Sequence, residues 1–181
     1  MIVVEYTKTD FPNLTGAILS FFEQICYVYD GKSIMKMFTN IDYQTVTYDS
    51  YLEQMLEEYE NGIPKLWLLL DDNTIEGFSL GYIPTKKTAF IPRHVDYCDN
   101  FYICSFFVLP RFQRKHGGRL MIKKIVDYCY LSDIRNIFLN VEKNNSKAVN
   151  FYKKMGFVIT SEINSEYFMN KLIYINLSNR K

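Results

Sequence analysis

A strand-like run, a basic turn with two adjacent glycines and the start of a helix follow one another at residues 106–120, whose sequence is FFVLPRFQRKHGGRL. Pro110 cannot donate a ladder hydrogen bond, so we expect the strand to stop near it. Gly117 and Gly118 let backbone N–H groups approach a ligand closely. A helix N-terminus carries unpaired N–H groups and the positive end of the helix dipole, and both suit a phosphate. The segment therefore predicts an α/β chain with an anion-binding turn.

The remaining hydrophobic pattern predicts one mixed α/β domain over residues 1–181, with the order β-α-α-β-β-β-α-β-α-β-β. The first two helices are expected to begin near Asp10 and at Ser50, each of which can cap a helix. Asp72-Asn73 lies between two apolar runs and is a hairpin signal. The last strand is predicted over residues 166–177. The predicted core of the helix after the glycines is one stripe: Met121, Ile122, Ile125 and Cys129.

A short helix near residue 150 completes the predicted order. Asn144 or Asn145 is expected to cap it, and Gly156 to end it. Its apolar stripe is predicted to contain Tyr152, and the strand before it is predicted to end near Glu142. This places two polar candidates, an asparagine cap and a tyrosine, close to the end of a strand.

Charge and cysteine usage restrict the classes of function. The net charge of +1 gives no overall basic character, so neither nucleic acid nor an anionic membrane is the expected partner. Only two histidines are present, and the cysteines lack the spacing of a zinc site or a disulfide framework, so we expect no metal and reduced thiols. The N-terminus lacks the pattern of a signal peptide, which favours a cytoplasmic protein. The four cysteines are Cys26, Cys98, Cys104 and Cys129.

Two segments together resemble the GNAT superfamily of acyl-CoA-dependent N-acyltransferases. The first is the stretch described above, which is similar to a strand ending V-x-P followed by Q/R-x-x-G-x-G/A at the head of a helix. Its matching residues are Val108, Pro110, Gln113 and Gly118. The second segment, residues 141–157, resembles V-x-x-x-N-x-x-A-x-x-F-Y-x-x-x-G-F without a gap. The two motifs occur in the family's order, with one predicted helix and one predicted strand between them.

The resemblance implies a fold and a division of the domain. The fold would be a central mixed, mostly antiparallel sheet of six to seven strands flanked by about four helices. Residues 97–157 would form the acyl-CoA-binding half. Residues 1–96 and 158–181 would form the acceptor side, where the aromatic-rich segment 27–48 would either shape the acceptor pocket or simply pack on the sheet.

The resemblance also implies roles for individual residues. Backbone groups of Phe106, Phe107 and Val108 would pair with the pantetheine amides of acetyl-CoA. Asn145 would bind the cofactor arm, and Tyr152 would act at the thioester sulfur as general acid. A phenol, with a pKa near ~10, can give a proton to a leaving thiolate. The N–H groups of Arg114, Lys115, His116, Gly117, Gly118 and Arg119 would hold the pyrophosphate, and Gln113 would be a further cofactor-binding residue.

The chain departs from the family pattern at the loop and at the base. His116 stands where the first loop glycine is expected, and histidine tolerates a left-handed backbone better than most residues. Its imidazole could face the phosphates or protrude into solvent. Tyr102 and Asn140 stand at positions where family members often carry a carboxylate base. Glu142 is the nearest acidic substitute and our candidate base, ahead of Asp96 and Asp99, and ordered water is a further route for the proton.

Each of these residues also has a purely structural interpretation. Tyr152 belongs to an apolar helix stripe, and Asn145 could serve only as a cap. The cations after Pro110 could form a solvated surface, and Glu142 could be an ordinary strand-end residue. The motif context favours function for Tyr152, and the neighbouring glycines favour an anion site for the cations.

The sequence therefore predicts an N-acetyltransferase that transfers an acetyl group from acetyl-CoA to a primary amine by direct attack in a ternary complex. The alternative is a non-catalytic acyl-CoA-binding or sensing module, or a protein-interaction domain on the same fold. A longer acyl donor is also open. The predicted partners are acetyl-CoA and an amine acceptor, and the chain would be a monomer or a homodimer.

Overall fold

The computed structural model describes residues 1–6, 64–83 and 100–174. Within these ranges the chain forms a seven-stranded sheet, two α-helices and one short 3-10 helix at Pro110–Phe112. The strands are β1 (Ile2–Glu5), β2 (Pro64–Asp71), β3 (Thr74–Tyr82), β4 (Asn100–Val108), β5 (Asn136–Glu142), β6 (Val158–Ile163) and β7 (Glu166–Leu172). The helices are α1 (Gly117–Leu131) and α2 (Ser146–Lys154). No helix in these ranges is long and apolar enough to cross a membrane.

The strands lie in the order β1-β2-β3-β4-β5-β7-β6. The β4–β5 pair is parallel and every other neighbouring pair is antiparallel. The prediction of a mixed, mostly antiparallel sheet of six to seven strands is therefore confirmed. The structure describes two of the four or so predicted helices. The helices expected near Asp10 and Ser50 lie outside the described residues, as does the aromatic-rich segment 27–48.

The hairpin between β2 and β3 confirms the turn signal at Asp72-Asn73. Asp72 has φ 47° and Asn73 has φ 64°. Two-residue hairpin turns with positive φ at both positions match the right-handed twist of the strands, and aspartate and asparagine adopt this backbone readily. The turn sets the register of the first two pairs, and a bulge shifts it between Leu70 and Leu69.

The last strand is shorter than predicted. The alternating pattern predicted a strand over residues 166–177, but β7 ends at Leu172, and Ile173 and Tyr174 follow outside it. Leu172 pairs with Asn136, the first residue of β5, and past this pair the Ile173 N–H donates to the carbonyl of Arg135, which precedes β5, at 2.7 Å. The alternating side-chain pattern continues past Leu172, but β5 has no residue to pair with there. Residues 175–177 lie outside the described part.

Helix α1 packs on the centre of the sheet. Its predicted stripe is confirmed, since Met121, Ile122, Ile125 and Cys129 are all buried. Three aromatic rings, those of Trp67, Phe101 and Tyr128, meet edge to face with centroids 5.4–5.7 Å apart, and they join β2, β4 and α1. Such aromatic contacts add to the free energy of burial. This packing joins the C-terminal part of α1 to the beginning of β4.

Candidate functional site

The parallel strands β4 and β5 separate about halfway along β4. Their pairing ends at Ile103 with Leu139. β4 continues to Val108 with β3 on its other side, and β5 continues to Glu142 with β7 on its other side. Among the described strands, none pairs with the β5-facing edge of β4 beyond Ile103. The sheet therefore has an opening there, bordered by backbone of residues 104–108.

A β-bulge lies where this opening begins. On β3, Leu80 pairs with Ser105 and the next residue, Gly81, pairs with Ile103, so Cys104 is the extra residue of β4. Its thiol donates to the carbonyl of Leu80 at 3.4 Å. A bulge bends its strand and increases the local twist. We attribute the divergence of β4 from β5 to this bulge. No local sequence pattern predicts the bulge.

The turn after β4 is held by a buried carboxylate on β3. The backbone N–H of Leu109 donates to the carbonyl of Glu76 at 2.9 Å. The Arg111 guanidinium donates to both carboxylate oxygens of Glu76, from Nη2 at 2.9 and 3.0 Å, and the Glu76 side chain is only 4% exposed. A bidentate pair of this kind fixes direction as well as distance. Arg111 therefore belongs to the frame of the loop.

Two further contacts stabilise the loop, one to its own strand and one within the loop. The Gln113 side-chain amide donates from Nε2 to the carbonyl of Val108 at 3.1 Å. The Lys115 ammonium lies 5.0 Å from the ring centroid of Phe112, within cation–π range. Gln113, which the motif assigned to the cofactor, thus has a structural contact in the loop, and its contact with a cofactor stays a prediction.

The loop backbone takes the shape that its glycine pattern predicts, although a histidine stands at one glycine position. His116 has φ 67° and immediately precedes α1, and Arg114 also has φ 67°. The left-handed conformation expected of His116 is therefore present. Non-glycine residues in this region are uncommon, and histidine is among those that enter it more often.

Five of the six backbone N–H groups from Arg114 to Arg119 donate to no backbone carbonyl within the described ranges. The exception is Lys115, whose N–H donates to Phe112 at 3.2 Å, and the helical ladder begins only with Leu120 donating to His116 at 3.0 Å. Arg114, Lys115, His116 and Arg119 are exposed. Unpaired N–H groups in a left-handed turn at a helix N-terminus, with cations beside them, fit an anion.

Neighbouring side chains pack closely against both glycines. A Cβ on Gly117 would stand 2.6 Å from Cδ2 of Leu69, and one on Gly118 would stand 3.0 Å from Cζ of Phe151. The first distance is shorter than real Cβ contacts allow, and the second leaves almost no room. The first turn of α1 therefore lies directly against β2 and α2.

Asn145 caps α2, which settles the choice between Asn144 and Asn145. Its Oδ1 accepts a hydrogen bond from the Ala148 N–H at 3.1 Å. The side chain is exposed, and the chain leaves the helix through Gly156 at φ 86°. The contact of Asn145 with a cofactor arm stays a prediction.

Tyr152 lies in an aromatic cluster between α2 and the open part of β4. Its ring centroid is 6.0 Å from that of Phe106, 5.3 Å from Phe151 and 5.6 Å from Phe157. The residue is 7% exposed, and burial raises the pKa of the phenol well above its ordinary value. The phenol therefore keeps its proton through neutral and moderately alkaline pH.

Two carboxylates, those of Glu142 and Glu166, lie near the end of β5. Glu142, the candidate base, is exposed and pairs in register with Glu166 on β7. The Asn140 amide donates from Nδ2 to Oε2 of Glu166 at 3.1 Å. No local sequence pattern singles out Glu166, because only the β5–β7 register brings it to Asn140. Asp96 and Asp99 lie outside the described residues.

Tyr102 lies opposite Phe138 in the paired part of β4 and β5. Its ring packs 5.1 Å from that of Phe138. Burial first, and then electrostatic interactions with Cys104, Glu166 and Tyr152, raise the pKa of the Tyr102 phenol far above its ordinary value. Tyr102 is therefore a neutral hydrogen-bonding group at physiological pH.

Comparison with known proteins gives one family. The model of the acetyltransferase (GNAT) family matches residues 32–157. The spermidine N(1)-acetyltransferase of Vibrio cholerae is 33% identical over 64 residues, 35% of this chain and 37% of that protein. The spermidine N(1)-acetyltransferase of Escherichia coli K12 is 31% identical over 64 residues, 35% of this chain and 34% of that protein. The match thus spans little more than a third of these relatives.

Solved structures show the same fold over nearly the whole chain. The PaiA N-acetyltransferase of Thermoplasma acidophilum, in complex with coenzyme A, aligns with a TM-score of 0.67 at 16% identity and covers 95% of this chain and 99% of that one. A GNAT-family acetyltransferase of Streptococcus pneumoniae aligns with a TM-score of 0.67 at 20% identity, covering 96% and 99%. At these identities the likeness concerns the fold alone.

Proposed function

Because the chain belongs to the acetyltransferase (GNAT) family, we propose that it is an N-acetyltransferase that transfers an acetyl group from acetyl-CoA to a primary amine. One observation carries the proposal. The buried ring of Tyr152 lies 6.0 Å, centroid to centroid, from that of Phe106. Phe106 is on the part of β4 whose β5-facing edge has no described strand partner. A proton donor and an open strand edge are thus side by side.

The opening and the loop are suited to the two ends of acetyl-CoA. The pantetheine arm carries amides, so it can pair like an added strand with backbone groups of Phe106, Phe107 and Val108. The pyrophosphate is an anion, and the N–H groups of Arg114 and of residues 116–119 suit it. Arg114, Lys115 and Arg119 supply positive charge near these N–H groups.

In the proposed reaction, the nitrogen lone pair of a neutral amine attacks the carbonyl carbon of the thioester. A C–N bond forms and the carbonyl oxygen becomes an oxyanion, which backbone N–H groups near Val108 stabilise. The intermediate then collapses and the C–S bond breaks. Tyr152 gives its proton to the departing sulfur as the charge develops there. The raised pKa of Tyr152 ensures that this proton is present when it is needed.

The proton lost by the amine goes to a carboxylate or to solvent. Glu142 is the candidate from the sequence, and its exposed position at the end of β5 allows exchange with water. Tyr152 regains its proton from solvent after CoA leaves. The acceptor is a primary amine, and the partial similarity to spermidine N(1)-acetyltransferases makes polyamines the first acceptors to examine.

A non-catalytic acyl-CoA-binding module is the second candidate. Asn140 and Tyr102 stand where a carboxylate base is often found in the family, and neither can accept a proton at neutral pH. Such a module would bind acetyl-CoA through the same opening and loop. It would catalyse no reaction, so Tyr152 would not act as a general acid.

A turnover screen separates the two candidates. Purified chain and acetyl-CoA are mixed with spermidine, a peptide with an N-terminal alanine, a lysine-containing peptide and an aminoglycoside, and free CoA is measured with a thiol reagent. We expect one class of amine to stimulate CoA release in the wild type, with the Tyr152→Phe chain as the matched control. CoA release that no amine stimulates, in a chain that binds acetyl-CoA, would favour the binding module.

A further inference from the structure

Asn140 lies at the start of the opening between β4 and β5. It is the first residue of β5 beyond the last pair with β4, which joins Ile103 and Leu139. Alternation along the strand puts its side chain on the same face as Phe138, whose register partner on β4 is Tyr102. Asn140 therefore stands at the point where the two strands separate, on the face that carries Tyr102.

The orientation of the Asn140 amide is fixed by Glu166. An ionised carboxylate only accepts hydrogen bonds, so the amide must turn Nδ2 toward Glu166, as the 3.1 Å contact requires. The amide oxygen Oδ1 then points away from Glu166. It is buried, and within the described ranges it has no hydrogen-bond partner. A buried acceptor is costly unless a donor reaches it.

The charge around this oxygen favours a cationic or N–H-rich group. Glu166 supplies a carboxylate beside Asn140, and its register partner Glu142 supplies a second one. The hydrogen bond from Nδ2 to a carboxylate also polarises the amide and makes Oδ1 a better acceptor.

We propose that Oδ1 of Asn140 accepts a hydrogen bond from the nitrogen of the acceptor amine, and that Glu166 is a positioning residue that orients the Asn140 amide. This inference rests on the proposed N-acetyl transfer and names the group that recognises its acceptor. An amine nitrogen carries N–H donors, and an ammonium adds positive charge, so both match a polarised amide oxygen beside a carboxylate.

The test is steady-state kinetics with spermidine, an alanine-initiated peptide and a lysine-containing peptide as acceptors. Asn140→Leu keeps the size of the side chain and removes the acceptor oxygen. We expect it to raise the KM for the amine about tenfold, with the KM for acetyl-CoA unchanged within about twofold. Glu166→Gln should raise the amine KM by a smaller factor, because two amides can pair in either orientation.

An exchange variant and a control complete the design. When Asn140→Asp is combined with Glu166→Gln, the amide and the carboxylate change places, so the new amide donates to the new carboxylate. A carboxylate oxygen then faces the amine, and the amine KM should return to within about threefold of the wild type. Glu162→Gln is the control, because Glu162 on β6 is an exposed carboxylate whose ion pair is with Lys143, at 2.8 Å. It should leave both KM values unchanged.

The outcomes distinguish failure of the inference from failure of the proposed function. A wild type that turns over an amine, with Asn140→Leu leaving the amine KM unchanged or raising both KM values equally, overturns the inference alone. A wild type that binds acetyl-CoA but acetylates none of the amines overturns the proposed function. If Asn140→Leu does not fold, as judged by circular dichroism, Glu166→Gln and the exchange variant decide.

Discussion

Phe151 on α2 occupies the space beside Gly118 on α1, since a Cβ on Gly118 would lie 3.0 Å from Cζ of Phe151. Phe151 cannot move freely, because its ring is packed against Phe106 at 5.7 Å and against Tyr152 at 5.3 Å. The first turn of α1, which follows the loop, therefore lies directly against α2. Helix α2 carries Tyr152, the proposed general acid.

This contact predicts the effect of a single methyl group. Gly118→Ala should displace the first turn of α1 and raise the Kd for acetyl-CoA about tenfold, despite the higher helix propensity of alanine. Calorimetric titration measures this change. The same substitution in a Phe151→Leu chain should cost much less, because the shorter side chain leaves room. Equal effects in both backgrounds would show that the contact with Phe151 is not the cause.

The left-handed backbone of His116 predicts a second pair of outcomes. His116→Gly removes the steric cost of φ 67° and should leave the free energy of unfolding and the acetyl-CoA Kd nearly unchanged. His116→Val should lower the free energy of unfolding by about 1–2 kcal/mol, because a β-branched residue is strained there. Urea unfolding measures the first quantity and titration the second. A tenfold weaker Kd in His116→Gly would instead assign the imidazole to the ligand.

Tyr152→Phe tests the proposed general acid. The aromatic packing of the ring is kept and only the hydroxyl is lost, so kcat should fall about 10²-fold or more while the acetyl-CoA Kd stays within about twofold. Single-turnover kinetics and titration give the two values. Because burial raises the pKa of Tyr152, the wild-type rate should show no alkaline loss from its ionisation near pH 10 or below. Full activity in Tyr152→Phe would exclude the role.

Cys129 predicts how stability depends on alkaline pH. Burial raises the pKa of its thiol from about 9 to about 12, so between these values the unfolded chain has lost a proton that the folded chain keeps. The contribution to stability is complete below pH 9 and is lost as the pH rises toward 12.

The measurement is urea unfolding of the wild type and Cys129→Ala at pH 8 and pH 10. The wild type should lose about 1 kcal/mol more than the variant between the two pH values. Cys129→Ala will be less stable at both, since Cys129 is fully buried, so the comparison uses the difference between pH values. Parallel pH profiles would contradict an ionisation cost at Cys129.

Local signals in the sequence predicted the local parts of the structure. The Asp72-Asn73 turn, the Asn145 cap and the buried stripe of α1 each depend on residues within a few positions of one another, and each is present. The left-handed backbone at His116 followed from the glycine position in a motif. These features need no information about distant parts of the chain.

Features set by pairing between distant strands were not predictable in this way. The bulge at Cys104 arises from the register of β4 on β3, and the contact of Asn140 with Glu166 arises from the register of β5 on β7. No local pattern around Glu166 distinguishes it from an ordinary strand-end residue. The end of β7 at Leu172 was mispredicted for the same reason, since the strand stops where its partner begins.

The central claim, an acetyl-CoA site formed by the opening and the loop before α1, is tested most directly by isothermal titration with acetyl-CoA. We predict one site per chain with a Kd between about 1 μM and 1 mM, weakened at least about tenfold in Arg114→Ala/Arg119→Ala. Lys123→Ala/Lys124→Ala, which removes the same charge from the exposed side of α1, should bind like the wild type. Absence of binding at millimolar acetyl-CoA, or equal weakening in both double variants, would contradict the claim.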